Sequence, residues 1–345
     1  MTKPSCGCGD GPPAQSARSE RQTGPAPLLS TTITWLDVLG AWRVRWGIGR
    51  MRYAVPWGLY RVGDPDSKSP VLVTANYKLT VDVVRRQLTG LDAWLLVLDT
   101  KGVNVWCAAG KGTFGTTELV RCVEAVDLAG VVEHRDLVVP QLGATGVAAH
   151  DVKNATGFSV HYGPVRACDI RDYLAAGMRS TQEMRRVTFG WKERAVLIPM
   201  EASGALKTAI VILVVLALLG LAHSRTVGWS LAADFAPFLA AMFAGVVLVP
   251  LFLPWLPSRV FAIKGAFVGA LCVGAALILV PGGAVEMAGA ALLGVAMASY
   301  LGMMFTGSTT FTNLAGVRLE VRRGLPPIVV AAVAGLALRV AAAFI

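Results

Sequence analysis

A doubly wound α/β domain followed by an all-α domain of five transmembrane helices is the architecture this sequence predicts. Three observations carry that expectation. Apolar residues make up 54% of the 345 and charged residues only 16%, too hydrophobic a balance for an ordinary soluble enzyme. The apolar surplus lies after Ala205, whereas the chain before it has the charge density of a globular domain. Between Pro70 and Met178, short continuous apolar runs alternate with amphipathic segments. That is the pattern of parallel strands buried between layers of helix.

In chain order, residues 1–30 read as a disordered tail, rich in Pro, Gly and Ser and without the apolar stretch of a secretory signal. Cys6 and Cys8 in this tail could chelate a soft metal or be an unstructured pair of thiols. Two cysteines alone do not fill a tetrahedral site. The six cysteines lack the regular spacing of a disulfide framework, which places the N-terminal part in a reducing cytoplasm. Residues 31–69 form a Trp/Arg-rich lead-in with Trp35, Trp42, Arg43, Arg45, Trp46, Arg50, Arg52 and Trp57. It suits a membrane surface or a segment packed on the domain core. Asp64 to Pro70 is a turn-rich linker.

The α/β domain is expected over 70–180. Strands are expected at Val71–Val73, Trp94–Leu98, Leu137–Pro140 and Phe158–His161. Helices are expected at Thr80–Leu88, Thr116–Asp127, Val147–Asn154 and Asp169–Ala176, with an apolar run at Gly130–Glu133. A linker at 181–204 leads into the membrane domain, 205–345. Its apolar runs, Leu206–Ala222, Leu231–Leu253, Phe261–Val280, Ala284–Met304 and Ile328–Ile345, are each long enough to cross ~30 Å of hydrocarbon.

Charge sets the orientation. Lys207, Arg259, Lys264, Arg318, Arg322 and Arg323 fall on the side of the α/β domain, and only Arg225 and Arg339 near the other. This predicts a multi-pass protein of the cytoplasmic membrane, with a cytoplasmic N-terminal domain and the C-terminus outside. The net charge of +10 then belongs to a basic face beside lipid. No basic stripe is interleaved with exposed aromatics, so nucleic acid is not an expected partner. The spans carry almost no ionisable residue in their middles, which leaves an ion path unsupported. Their Gly and Ala content predicts tight helix packing.

The unusual stretch is Asn104-Val105-Trp106-Cys107-Ala108-Ala109-Gly110-Lys111, between the second strand and the Thr116 helix. As a short helix it would put Cys107 near its N-terminal end and Lys111 one turn on. Both favour a thiolate, the form that binds a soft metal. The plainer reading makes Cys107 one more small buried hydrophobe. A phosphate-binding P-loop is ruled out, because Val105 stands where its first glycine belongs and Gly112 where its Ser/Thr belongs. Gly110, Gly112 and Gly115 do match a dinucleotide fingerprint as a string, but only a preceding strand would give it meaning.

The octet, with Gly112-Thr113-Phe114-Gly115 after it, resembles the cap-helix signature of the HgcA family, membrane corrinoid proteins of mercury methylation. Pro70–Tyr77, Gly47–Met51 and the hydrophobic C-terminal third fall where that family has them, so the resemblance runs from Trp35 onward. Phe305–Asn313, rich in hydroxyls, resembles a segment of the corrinoid iron–sulfur protein of the acetyl-CoA pathway. Its plainer reading is side chains bonding backbone at a helix end.

The resemblance implies a Rossmann-like corrinoid-binding domain and a corrinoid-dependent methyltransferase that passes a methyl group from methyl-Co(III) to Hg(II). It implies a base-off corrinoid of cobalamin type, with Cys107 as the lower ligand of cobalt. The four histidines offer no alternative, since none lies in an Asp-x-His-x-x-Gly loop. It further implies a methyl donor of methyltetrahydrofolate type and electrons from a small ferredoxin-like partner with two 4Fe-4S clusters. No iron–sulfur cluster is expected in this chain. Asn104 would cap the helix, Trp106 fill space against the macrocycle or the core, and Ala108 and Ala109 keep the surface flat. Lys111 would support the thiolate, with Val105 and Gly110 completing the contacts. Thr74, Asn76, Gln141, Gly143, Gly163 and Arg166, at strand ends or in following loops, would touch the corrin side chains and nucleotide tail. Two rival functions stand beside this one: a membrane-anchored corrinoid methyl carrier of one-carbon metabolism, and a membrane protein with a nucleotide-binding domain.

Overall fold

The computed structural model describes residues 24–224, 229–280, 282–312 and 314–342. Cys6, Cys8, Arg225 and Asn313 lie outside the described residues. The chain divides into two compact units, Met1–Ala41 with Gly49–Arg186, and Trp42–Ile48 with Val187–Ile345.

In the first unit, helix α1 (Trp35–Arg45) precedes strands β1 (Gly58–Val62) and β2 (Val71–Ala75), helix α2 (Lys78–Gln87) and strand β3 (Ala93–Leu98). Helices α3 (Val105–Lys111), α4 (Thr116–Ala125) and α5 (Leu128–Val131) lead to strand β4 (Asp136–Val139). Helix α6 (Ala149–Thr156), strand β5 (Ser159–Tyr162) and helix α7 (Ile170–Ala175) follow. The sheet order is β1-β3-β2-β4-β5. β2 runs parallel to both β3 and β4, in register Val71↔Trp94 and Val71↔Leu137. β5 continues parallel to β4. The chain goes from β2 to one neighbour and then crosses to the other, so the sheet has its topological switch between β2 and β4. Crevices for ligands open at the carboxyl ends of the strands at such a point.

Side-chain alternation explains why these apolar runs are strands rather than helices. Val71, Val73, Ala75, Leu96, Leu98, Leu137 and Val139 join one buried cluster, completed by Phe114, Leu119 and Phe158. Leu72, Leu95, Val97 and Val138 face the opposite cluster, with Val81, Leu88 and Tyr173. A period of two feeding two cores requires helices on both faces.

The structure departs from the expected boundaries in several places. The α/β unit does not begin at Pro70, because the lead-in supplies β1, antiparallel to β3 with Gly58 opposite Val97. Nor does the tail end at residue 30: Leu29 N donates to Arg61 O at 2.7 Å and Arg61 N to Pro27 O at 2.9 Å. Of the two readings of the lead-in, packing on the core holds for part of it. Asp37 of α1 accepts from Lys78 at 2.5 Å and Arg85 at 2.7 Å, and both cations also pair with Asp82. Trp57 lies under the Arg121 guanidinium, 4.4 Å from the ring centre. Trp35, Trp42 and Trp46 remain exposed. The run Gly130–Glu133 opens inside the helical turn α5, where Asp127 in a left-handed conformation (φ 48) starts the turn.

In the second unit the expected linker 181–204 is partly helical. Helix α8 (Trp191–Ala195) precedes α9 (Ile198–Ser224), which begins well before Leu206. The remaining helices are α10 (Trp229–Phe243), α11 (Val249–Phe252), α12 (Phe261–Ile278), α13 (Ala284–Met304) and α14 (Leu314–Ala342). α14 starts upstream of the expected Ile328. Its Pro326 and Pro327 lie inside the helix. Among the described residues, five helical stretches are long and apolar enough to cross a membrane.

Their packing depends on small residues, as in lipid generally. A side chain on Gly265 would collide with the Ala298 carbonyl, and one on Gly302 would sit 2.9 Å from Gly265 Cα. Some charges within the spans have partners among the described residues. Arg339 bridges Glu286 at 2.8 Å and Asp234 at 3.1 Å. Glu320 Oε1 accepts from Ala262 N at 2.8 Å, and Lys264, buried, donates to the Leu253 and Leu256 carbonyls. The hydroxyls of Phe305–Thr312 mostly bond locally, Thr312 to Thr306 O at 2.9 Å and Thr306 to Met303 O. Ser308 instead reaches Glu201, at 2.9 Å.

Candidate functional site

The octet folds as a short helix for local reasons. Asn104, extended at φ −66 and ψ 161, caps α3 by accepting from Cys107 N through Oδ1 at 2.9 Å. Gly112 ends the helix in a left-handed conformation (φ 81), open to glycine at little strain. Phe114, fully buried, then plugs the core, its N–H donating to Ala108 O at 3.1 Å. Gly115 caps α4. The glycine string therefore joins the end of one helix to the start of the next, with no strand before it. That geometry removes the basis for a dinucleotide site there.

Asn76 aims α3. At the end of β2, its Oδ1 accepts from Thr100 N (3.2 Å), Thr100 Oγ1 (2.9 Å) and Gly102 N (3.0 Å), and its Nδ2 donates to Asp99 (3.0 Å). This fixes the turn through Lys101 (φ 58) and Gly102 (φ 70) that leads into α3. Burial works to raise the Asp99 pKa, but hydrogen bonds from Lys101 and Asn76 outweigh it and hold the carboxyl below its ordinary value.

Between the carboxyl ends of β2 and β4, with α2 and α3 as walls, lies a cavity of about 350 Å³, within the range of small-ligand sites. Of the expected residues it brings together Thr74, Asn104, Val105, Trp106 and Gly163. Trp106 is half-exposed at its mouth, and Cys107, exposed, stands one residue beyond the lining. The others are placed elsewhere. Ala108 and Ala109 face inward and are buried, so they fill the core rather than offer a flat outer surface. Gly143 is buried against Phe114, 3.0 Å from Cδ1 for any added Cβ. Gly110 and Lys111 are exposed on the last turn, and Gln141 and Arg166 do not line the cavity. The apolar walls, Leu72, Val83, Val138 and Ile170 among them, were not anticipated. The phase of the α2 apolar stripe and the β2 alternation carry that signal.

Thr74 stands out within the lining. It is 1% exposed, and its Oγ1 is the only buried side-chain atom there without a hydrogen-bond partner among the described residues. Asn104→Ala should destabilise the first unit by about 1 kcal/mol through loss of the cap, with Asn104→Ser close to the parent. Denaturant unfolding followed by circular dichroism checks this.

Residues 49–174 match the protein family described as CO dehydrogenase/acetyl-CoA synthase delta subunit. Over that stretch the chain is related to acetyl-CoA pathway proteins. The acetyl-CoA decarbonylase/synthase complex subunit gamma of Methanopyrus kandleri is 40% identical over 119 residues, 34% of this chain and 25% of that protein. The subunit gamma of Archaeoglobus fulgidus is 34% identical over the same shares. That of Methanothermobacter thermautotrophicus is 31% identical over 152 residues, 43% of this chain and 32% of the relative. The chain thus spans a quarter to a third of the length of these curated relatives. The matched stretch contains β1 to β5, the cavity and α3.

Proposed function

We propose that this chain is a membrane-borne corrinoid methyl carrier, with Cys107 as the residue that would hold its cobalt. The observation that carries the reading is the exposed Cys107 on a capped helix that also walls a buried apolar cavity at the sheet's switch point. Kinship with acetyl-CoA decarbonylase/synthase subunits supports a place in one-carbon chemistry. The residues suit the cofactor: a thiol donor free of internal partners that would bury it, and an unpartnered hydroxyl inside an apolar cavity. A bound corrinoid supplies a cobalt centre able to take up and give away a methyl group.

What the chain itself does follows from position. Asn104 fixes the α3 backbone at Cys107, so the sulfur is presented at a set place rather than on a loop. The thiolate, a soft donor, suits cobalt. Trp106 covers the cavity mouth and slows water entry, and Thr74 offers the hydroxyl within. Five spans anchor the unit to lipid. Lys207, Arg259, Lys264, Arg318, Arg322 and Arg323, in or beside the apolar runs, are the basis for a cytoplasmic N-terminal domain and an outward C-terminus. The exposed Trp35, Trp42 and Trp46 suit the headgroup layer.

The octet Asn104–Lys111 favours a finer reading, in which the methyl acceptor is Hg(II), the donor is of methyltetrahydrofolate type and electrons come from a ferredoxin-like partner. Electron paramagnetic resonance of the Co(II) form tests the core of the proposal, with full-length protein purified anaerobically and loaded with cobalamin. A sulfur donor to cobalt in the wild type that is lost in Cys107→Ala is expected. Identical spectra would remove Cys107 from the site. Assaying methylmercury and methyl-folate flux in a deletion strain separates the two acceptors: loss of methylmercury alone supports Hg(II), and loss of folate flux alone supports the general carrier.

A further inference from the structure

We infer that helix α1 is a lipid-binding element, its outward face lying in the headgroup layer of an anionic phospholipid surface. This rests on the membrane-borne reading of the chain and adds a lipid contact apart from the spans. The helix has two unlike sides. Asp37, Gly40 and Val44 recur at helical spacing on the inner one. Asp37 pairs with Lys78 and Arg85, a side chain on Gly40 would collide with the Tyr53 hydroxyl, and Val44 is fully buried. Those contacts fix which way the helix faces.

On the outer side Trp35, Leu39 and Trp42 follow at i, i+4 and i+7, with Leu36 beside them. Trp46 continues the line one turn on, its N–H donating to Trp42 O at 3.2 Å. These five side chains are 41% to 69% exposed. An ordinary surface helix carries its polar residues on this side, so α1 presents carbon and indole where water would be. Exposed apolar surface of this kind marks a contact. A protein hot spot gathers its anchors near one centre inside a polar rim, whereas here tryptophans stand at both ends of the stripe, about 16 Å apart along the axis. That suits a laterally uniform layer, and indole is the side chain that prefers the boundary between headgroups and hydrocarbon. Charge chooses the kind of lipid. Residues 38–57 contain Arg43, Arg45, Arg50 and Arg52 and no acid, Arg43 and Arg52 are exposed, and Asp37 is engaged inward. Anionic headgroups attract and bond such cations.

The experiment places the full-length chain in nanodiscs of phosphatidylcholine alone or mixed with phosphatidylglycerol, with and without acyl chains brominated near the headgroup. A variant with Trp35→Phe, Trp42→Phe and Trp46→Phe together is treated alike, and parent minus variant fluorescence reports the three tryptophans. In the anionic discs bromine should remove most of this difference signal, and Arg43→Gln with Arg52→Gln should restore part of it. Quenching should be weaker in phosphatidylcholine alone, and weaker in the anionic discs at high salt, which screens exposed charges. A difference signal that bromine leaves intact while the remaining tryptophans are quenched would overturn the inference, and so would equal quenching in the two lipids. Two chains per disc without quenching would overturn it in favour of a second copy on this face. If the remaining tryptophans also escape bromine, the failure belongs to the membrane reading itself.

Discussion

Cys107→Ala is expected to abolish methyl transfer while leaving the fold intact. Loss of groups that merely orient a metal ligand lowers affinity or activity 10- to 100-fold, so removal of the ligand should lower transfer by at least about a hundredfold. The fold should survive because Cys107 is exposed, and truncation of such a side chain changes stability by about 0.5 kcal/mol or less. The cap at Asn104 uses the backbone N–H of residue 107, which alanine retains. Methylation assays on membranes, paired with thermal unfolding of the same preparations, separate the two effects. Parent-like transfer to any acceptor would take the sulfur out of the chemistry. Cys107→Thr keeps a small polar side chain and should still admit the corrinoid through the cavity, but without the sulfur signature.

The second large effect concerns stability. Arg85 is buried, donates to Asp37 and Asp82 at 2.7 Å each, and holds the Ser30 and Thr32 carbonyls at 2.6 Å. Arg85→Ala leaves two carboxylates short of a cation and two carbonyls without their donor. Breaking a buried pair in this way costs about 3–5 kcal/mol, and the unfolding midpoint in urea should fall accordingly. The same cluster makes the protein sensitive to acid. Burial of Asp37 works to raise its pKa, but the bonds from Lys78, Thr34 and Arg85 prevail and hold it well below the carboxylate range. A carboxyl with a lowered folded pKa contributes stability above its unfolded pKa of ~3.9, and that contribution is lost as pH falls. The parent should therefore lose stability below about pH 4 more steeply than Arg85→Ala does. Matched slopes would show that the cluster does not govern acid unfolding.

The central strands were legible because both faces of β2 and β3 are buried, which leaves an uninterrupted apolar run flanked by turn residues. The helices α2 and α4 were legible from amphipathic spacing. β1 was not, because its Gly58-Leu59-Tyr60-Arg61-Val62 is half-buried and sits in a segment dominated by Trp and Arg, whose composition points to lipid. Cys107 and its cap could be read from the octet, since capping is local. Ala108 and Ala109 could not be placed, because small residues fit both an outer face and a core. Thr74 is legible as a strand-end residue, but its missing partner depends on α2 and β4, far along the chain.

β1 also determines what happens when the protein is cut. β3, Ala93-Trp94-Leu95-Leu96-Val97-Leu98, is buried throughout and has β1 and β2 on its two sides. A fragment beginning at Pro70 would strip one side and present a row of free amides and carbonyls on a wholly apolar strand. Such edges recruit further chains, so that fragment should self-associate into sheets, whereas one that keeps residues 26–62 stays monodisperse.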